Sequence, residues 1–123
     1  MTHLAALCIS FLLQSPDPVT PAGGFPIHEV HDSVVPLSDG ATTNADVRLP
    51  AVTPNACGWP VVVIIHGLFG SKESVASMAQ DFAHWGYVTV TYDVRGHATS
   101  TGAHTYFGLR ERLDMAEVVY WAL

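Results

Sequence analysis

Charge is scarce in this chain, and positive charge is scarcest: 5 Lys and Arg stand against 11 Asp and Glu, giving a formal net charge of -6. So few cations leave no electrostatic footprint for a phosphate backbone or an anionic lipid surface, which excludes nucleic acid as a partner. Cysteine is nearly absent. Cys8 and Cys57 are too few for a disulfide framework and have no C-x-x-C spacing for zinc or redox work, and no metal or cofactor is expected. Neither G-x-G-x-x-G nor G-x-x-x-x-G-K-[ST] occurs, so a nucleotide-binding domain ranks last among the readings of this chain. No apolar run is long enough for a stable membrane span. Residues 4–13, interrupted only by Ser10, have the length of an export-signal core, but no Lys or Arg precedes them and Gln14-Ser15-Pro16 is a poor cleavage site. Exported and cytoplasmic locations both stay open.

What is present describes a folded domain, or part of one: 49% of the 123 residues are apolar and 13% charged, with no internal repeat or low-complexity tract. Residues 1–25 read as a signal-like apolar segment followed by a Pro- and Gly-rich linker, and residues 26–123 as the domain. In residues 41–49, Ala41, Thr43, Ala45, Val47 and Leu49 alternate with Thr42, Asn44, Asp46 and Arg48, which predicts a half-buried strand. A Val-rich run at residues 29–37 precedes it across Ser38-Asp39-Gly40, where Asp-Gly tolerates positive φ, so the two should form a hairpin.

Residues 61–65, Val-Val-Val-Ile-Ile, are β-branched without alternation and predict a strand buried on both faces at the centre of a parallel sheet. Ser71 is a good N-cap. Val75, Met78, Ala79, Phe82 and Ala83 then recur at helical spacing until Gly86. A second strand follows at residues 87–92, then a polar loop at 94–102. Leu109, Leu113, Ala116 and Tyr120 mark a second helix, with Arg110, Glu111, Asp114 and Glu117 left for solvent. Strand, helix and strand in this order make a parallel crossover, and the class is α/β.

The turn after the first buried strand is His66-Gly67-Leu68-Phe69-Gly70-Ser71. Its glycines permit a tight turn, and its amide N–H groups can point outward at the carboxyl edge of the sheet, where preorganised donors stabilise a developing oxyanion. An ordinary strand-to-helix turn is the alternative reading. This turn, followed after the next strand by Tyr92-Asp93-Val94-Arg95-Gly96-His97 with Ser100 and Gly102, resembles the α/β-hydrolase superfamily. The leading hairpin, with Val35-Pro36-Leu37-Ser38-Asp39-Gly40 and Ala45-Asp46-Val47-Arg48-Leu49-Pro50, looks most like the Xaa-Pro dipeptidyl-peptidase and cocaine-esterase branch.

The resemblance covers about residues 29–123. It implies a serine hydrolase of the esterase or peptidase type, acting by acyl transfer on a small ester or peptide-like substrate. The backbone N–H of Leu68 would belong to the oxyanion hole, Phe69 would line the pocket, His66, Gly67 and Gly70 would support the turn, and Asp93, Arg95 and Gly96 would hold the later loop. Ala98 stands where many relatives have Gly. In relatives the nucleophile lies on a later G-x-S-x-G turn, followed by the acid and the histidine. No G-x-S-x-G occurs in these 123 residues, so the expectation is an N-terminal α/β-hydrolase part truncated before the nucleophile strand and inactive alone.

Ser71, Ser74 and Ser77 are explained by capping and solvation, and Ser100 by the loop motif. His28 and His31 lie three apart on a strand, which argues against a ligand pair. His97 sits in the candidate loop, while His3, His84 and His104 carry no visible constellation. Lacking the nucleophile strand beside residues 61–65, the chain is expected to self-associate through that bare edge. A short non-catalytic α/β interaction module is the competing reading.

Overall fold

Asp-Gly at the predicted turn does close a hairpin. The computed structural model describes residues 18–123; the apolar run at residues 4–13 lies outside the described residues. Gly40 takes φ +88 and donates its N–H to the Leu37 carbonyl, while Leu37 N–H bonds Ala41 O. Strands β1 (Ile27–Pro36) and β2 (Thr42–Pro50) pair antiparallel from Ile27 opposite Pro50 to Pro36 opposite Thr42. A bulge between Val30 and Ser33 breaks the register, and there Asp32 adopts φ +55.

Strand β3 (Val61–Ile65), helix α1 (Ala76–His84) and strand β4 (Val88–Tyr92) form the predicted crossover, β3 and β4 being parallel neighbours. A short 3-10 turn over Lys72–Val75 precedes α1. The four-stranded sheet runs β1-β2-β4-β3. The central position therefore belongs to β4, whose residues Thr89, Val90, Thr91 and Tyr92 are buried, and not to β3. The β-branched run marks β3 as a strand built for two covered faces and two neighbours, but among the described residues β4 is its one neighbouring strand, and Ile65 is exposed.

One sheet face carries the apolar core, where Val35, Ala45, Val90, Tyr92 and Val94 meet Val118 of helix α2 (Leu109–Ala122). The other face corrects the half-buried expectation for β2. Asp46 and Arg48 point not into solvent but under α1 and the turn before it, and are 3% and 2% exposed. They survive burial because they are paired. Arg48 Nε donates to Glu29 at 2.8 Å, and Asp46 accepts from the Asp32 backbone N–H and contacts Lys72 Nζ, each at 3.0 Å. Lys72, also buried, reaches Asp32 at 2.9 Å and Glu73 at 2.7 Å. Burial alone would lower its pKa, but these three carboxylates raise it above the usual lysine value.

Two further expectations are corrected. The polar side of α2 faces the protein and its apolar stripe faces out: Glu111 and Asp114 are buried, whereas Leu109, Leu113 and Tyr120 are exposed. Ion pairing to loops on this side, described below, outweighs the apolar pattern. Phe25, the last residue of the supposed linker, is buried. Its ring lies 5.2 Å from that of Trp59, and its N–H bonds His84 O at 2.8 Å.

The buried carboxylates set an acid limit. Burial pushes Asp46 up, but the Asp32 N–H, His31 and Lys72 together hold it at about 2, against 3.8 ordinarily. Burial likewise raises Glu111, and the Thr105 hydroxyl and N–H overcome this and bring it to about 2 from 4.5. Folded-state values below the unfolded ones contribute stability above the unfolded pKa that disappears as pH falls through the folded pKa. Urea midpoints should therefore be level just above pH 4.5 and fall progressively towards pH 2; a flat profile across that window would contradict the pairing.

Candidate active site

The carboxyl ends of β3 and β4 release two loops side by side, and His66 joins them. It is 2% exposed. Its Nε2 accepts the Val94 N–H at 3.0 Å, which requires a lone pair there, so Nδ1 carries the proton and donates to Gly67 O at 2.7 Å. Both nitrogens are thus committed to holding loops, leaving neither for substrate.

Gly70 N–H closes a four-residue turn on Gly67 O at 3.0 Å. Glycine at position 70 fits the turn closely: a Cβ would sit 3.0 Å from Gly67 O and 3.1 Å from His66 Nδ1, so the turn would have to shift by a few tenths of an ångström to admit one. Inside the turn, Leu68 is 43% exposed and Phe69 86%, and Phe69 holds φ +61. The Leu68 N–H has no hydrogen-bond acceptor among the described residues. The turn leads into Ser71, whose N–H bonds Ser74 Oγ at 3.3 Å.

Asp93 locks the second loop against the first. Its buried carboxylate accepts Lys72 N–H at 2.8 Å and Thr99 N–H at 3.2 Å, and its carbonyl accepts the hydroxyls of Thr43 and Ser100. Arg95 extends the lock. Its guanidinium makes a two-pronged pair with Asp114 of α2, Nε to Oδ2 at 2.7 Å and Nη2 to Oδ1 at 2.9 Å. The same group pairs with Asp39 of the hairpin turn at 2.9 Å. Arg95 holds the Asp39 carboxyl below its ordinary value. Arg110 adds bonds to Asp114 and Glu117, and Glu117 accepts the N–H of Ser38 at 2.7 Å.

The loop is tightly folded over this pair. Gly96, at φ +72, brings its Cα so close to His104 that a Cβ would stand 2.8 Å from the His104 backbone nitrogen. A Cβ at Gly102 would lie 2.3 Å from Arg95 Nη1. Ala98 also adopts left-handed backbone, φ +42, so the position keeps the geometry glycine favours without being glycine. Ala98→Gly should relieve roughly 1–2 kcal/mol of backbone cost and return part of it to unfolded-chain entropy, for a net gain of up to about 1 kcal/mol. A urea midpoint for the variant at or below the parent's would contradict this.

The sequence-predicted residues Leu68, Phe69, His66, Gly67 and Gly70 thus share one turn, and Asp93, Arg95 and Gly96 form the adjoining loop. His97 is buried between them, its ring 5.3 Å from His66 and 6.4 Å from Phe69. His28 and His31 stand apart, and His31 Nδ1 contacts Asp46 at 3.0 Å. Sequence reading missed Lys72, His104, Tyr106 and Phe107. Only the last two carried a signal, an aromatic pair just before a helix, and packing explains such pairs equally well.

A mixed sheet with a β3-α1-β4 crossover, helices on both faces and loops meeting at the carboxyl edge defines the N-terminal part of an α/β-hydrolase fold. The sequence profile of the X-Pro dipeptidyl-peptidase (S15) family matches residues 39–123, and the chain belongs to that family. Similar solved structures include a hypothetical protein from Pseudomonas aeruginosa, with 23% identity and TM-score 0.63 over 82% of this chain and 31% of its own. A CocE/NonD family hydrolase from Staphylococcus aureus has 22% identity and TM-score 0.63 over 78% of this chain and 20% of its own. Est1E from Butyrivibrio proteoclasticus, solved with ferulic acid bound, has 27% identity and TM-score 0.63 over 73% of this chain and 36% of its own. The chain thus spans about a third or less of the length of these structures. No curated protein sequence matches.

Proposed function

We propose that this chain supplies the oxyanion side of a serine-hydrolase site that cleaves an ester or peptide bond by acyl transfer. The observation that carries the reading is the N–H of Leu68, a residue 43% exposed in the turn after β3, which has no acceptor among the described residues. His66, Asp93 and Gly70 fix the turn from three sides, so the donor needs no reorganisation when charge develops. Family membership favours hydrolysis over an interaction module. Phe69 forms the outer wall of the site.

Replacing the Gly67–Leu68 amide by an ester removes the donor while keeping the turn. With methylphosphonate as a tetrahedral oxyanion probe, affinity should fall about tenfold or more, since a hydrogen bond to a charged group contributes roughly 1.5–3 kcal/mol. Unchanged affinity would refute the assignment.

The open edge of β3 supports a second proposal, that a second copy of the chain pairs with it. Its five side chains carry no charge to block strand addition, and Ile65 at its carboxyl end is exposed. Sedimentation coefficients should rise with concentration in the micromolar range; a sharp monomer throughout would count against pairing.

A further inference from the structure

We infer that the apolar run at residues 4–13 docks in a groove at the amino edge of the sheet and is clipped there by a disulfide between Cys8 and Cys57. The groove opens where β3 and β4 begin, at the opposite end of both strands from the turn bearing Leu68. Phe25, Trp59, Trp85 and Tyr87 line it around a volume of about 520 Å³, and none of the described residues lining it is charged. Gly86, at φ +99, lets the rings come together: a Cβ there would stand 3.2 Å from the Trp59 ring and 3.3 Å from the Phe25 ring. Trp85 is 59% exposed, and the Trp59 Nε1–H is buried with no acceptor among the described residues. A buried indole N–H normally finds a partner. A backbone carbonyl of a docked segment supplies one.

The occupant follows from where the chain enters the groove. Pro18 is itself part of the wall, so residues 1–17 start at its edge. From Leu13 to Pro18 the chain spans at most about 18 Å, which keeps the carboxyl end of the run beside the groove. Leu4, Leu7, Ile9, Phe11, Leu12 and Leu13 match an uncharged aromatic wall, and seating them on it removes apolar surface of both from water. Cys57 lines the same groove and is disulfide-bonded. Cys8, in the middle of the run, is the one other cysteine of the chain. Closing the bond takes two electrons and two protons from the two thiols, which a small-molecule disulfide such as oxidised glutathione accepts as it becomes two thiols. The clip therefore closes in oxidising surroundings and opens on reduction.

Peptide mapping of the 123-residue chain, folded in a glutathione redox buffer, alkylated and digested without reduction, tests the clip. Mass spectrometry should find one linked pair of peptides, carrying Cys8 and Cys57, in a species with the mass of a single chain. NMR tests the docking: ring protons of Trp59 and Trp85 should show nuclear Overhauser contacts to methyl groups of residues 4–13. Cys57→Ser leaves the aromatic wall in place and should speed hydrogen exchange of the amides of residues 4–13 about tenfold or more, because the run is no longer held at high local concentration. Two alkylated thiols, or a link found only at the mass of two chains, would overturn the pairing. A Cys8–Cys57 link without ring-to-methyl contacts would overturn the docking. Unchanged exchange in Cys57→Ser would overturn the disulfide as the clip.

Discussion

Treated with a serine-directed fluorophosphonate, the 123-residue chain should remain unlabelled. A serine becomes nucleophilic when a positioned base takes its proton. Among the described residues no serine hydroxyl bonds a histidine. Ser100 donates towards Thr43 and the Asp93 carbonyl, and Ser74 to Ser71 O. The histidine rings are engaged elsewhere: His66 with Gly67 and Val94, His84 with Phe25 O, His97 with Arg95 O. Hydrolytic turnover should accordingly lie on the order of a millionfold below that of a site with a complete triad, the loss that accompanies removal of nucleophile and base together. Residual rate from a lone oxyanion donor would be at the limit of detection. Stoichiometric modification of any serine, detected by intact mass, would show that an activated nucleophile exists.

Arg95→Ala should lower stability by about 3 kcal/mol or more, the largest loss expected from any single surface-distant side chain here. Arg95 is 5% exposed and its partner Asp114 3%, so removal of the guanidinium leaves a buried carboxylate with Arg110 as its remaining cation. The same change removes the Arg95–Asp39 pair and leaves the Ser38–Glu117 bonds to hold the hairpin turn to α2. Lysine cannot restore the two-pronged geometry, and Arg95→Lys should recover only part of the loss. Arg112→Ala, at an exposed position on α2, should cost less than about 0.5 kcal/mol. Comparing urea midpoints of the three variants checks the ordering. An Arg95→Ala midpoint matching that of Arg112→Ala would mean the Arg95–Asp114 pair contributes nothing net.

Local chemistry made much of this fold legible. Asp39-Gly40 specified its turn, the β-branched run specified a strand, and Gly86 ended the helical pattern, because each acts through its own backbone. What the sequence hid was decided by neighbours far along the chain. Asp46 and Arg48 alternate with apolar residues just as a solvent-facing set would, and their burial is made tolerable by partners elsewhere in the chain, Glu29 for Arg48 and the Asp32 N–H with Lys72 for Asp46. The orientation of α2 was misread for a related reason. Its apolar stripe is real, but Arg95 and Ser38 claim Asp114 and Glu117 and turn the polar side inward, leaving Leu109, Leu113 and Tyr120 uncovered. The edge position of β3 among the described residues follows from the strand order β1-β2-β4-β3, which is set by pairing between segments far apart in the chain. At the site, the glycines announced the turn, whereas the positive φ of Phe69, Tyr106 and Phe107 falls on residue types that seldom adopt it and so left no trace in the sequence.

The most direct test is an amide proton–nitrogen NMR titration of the chain with methylphosphonate. The Leu68 resonance should move downfield further than any other, with smaller shifts at Phe69 and Gly70, because that N–H has no competing acceptor among the described residues. Saturating shifts that appear elsewhere while Leu68 stays fixed would show that the turn does not receive an oxyanion.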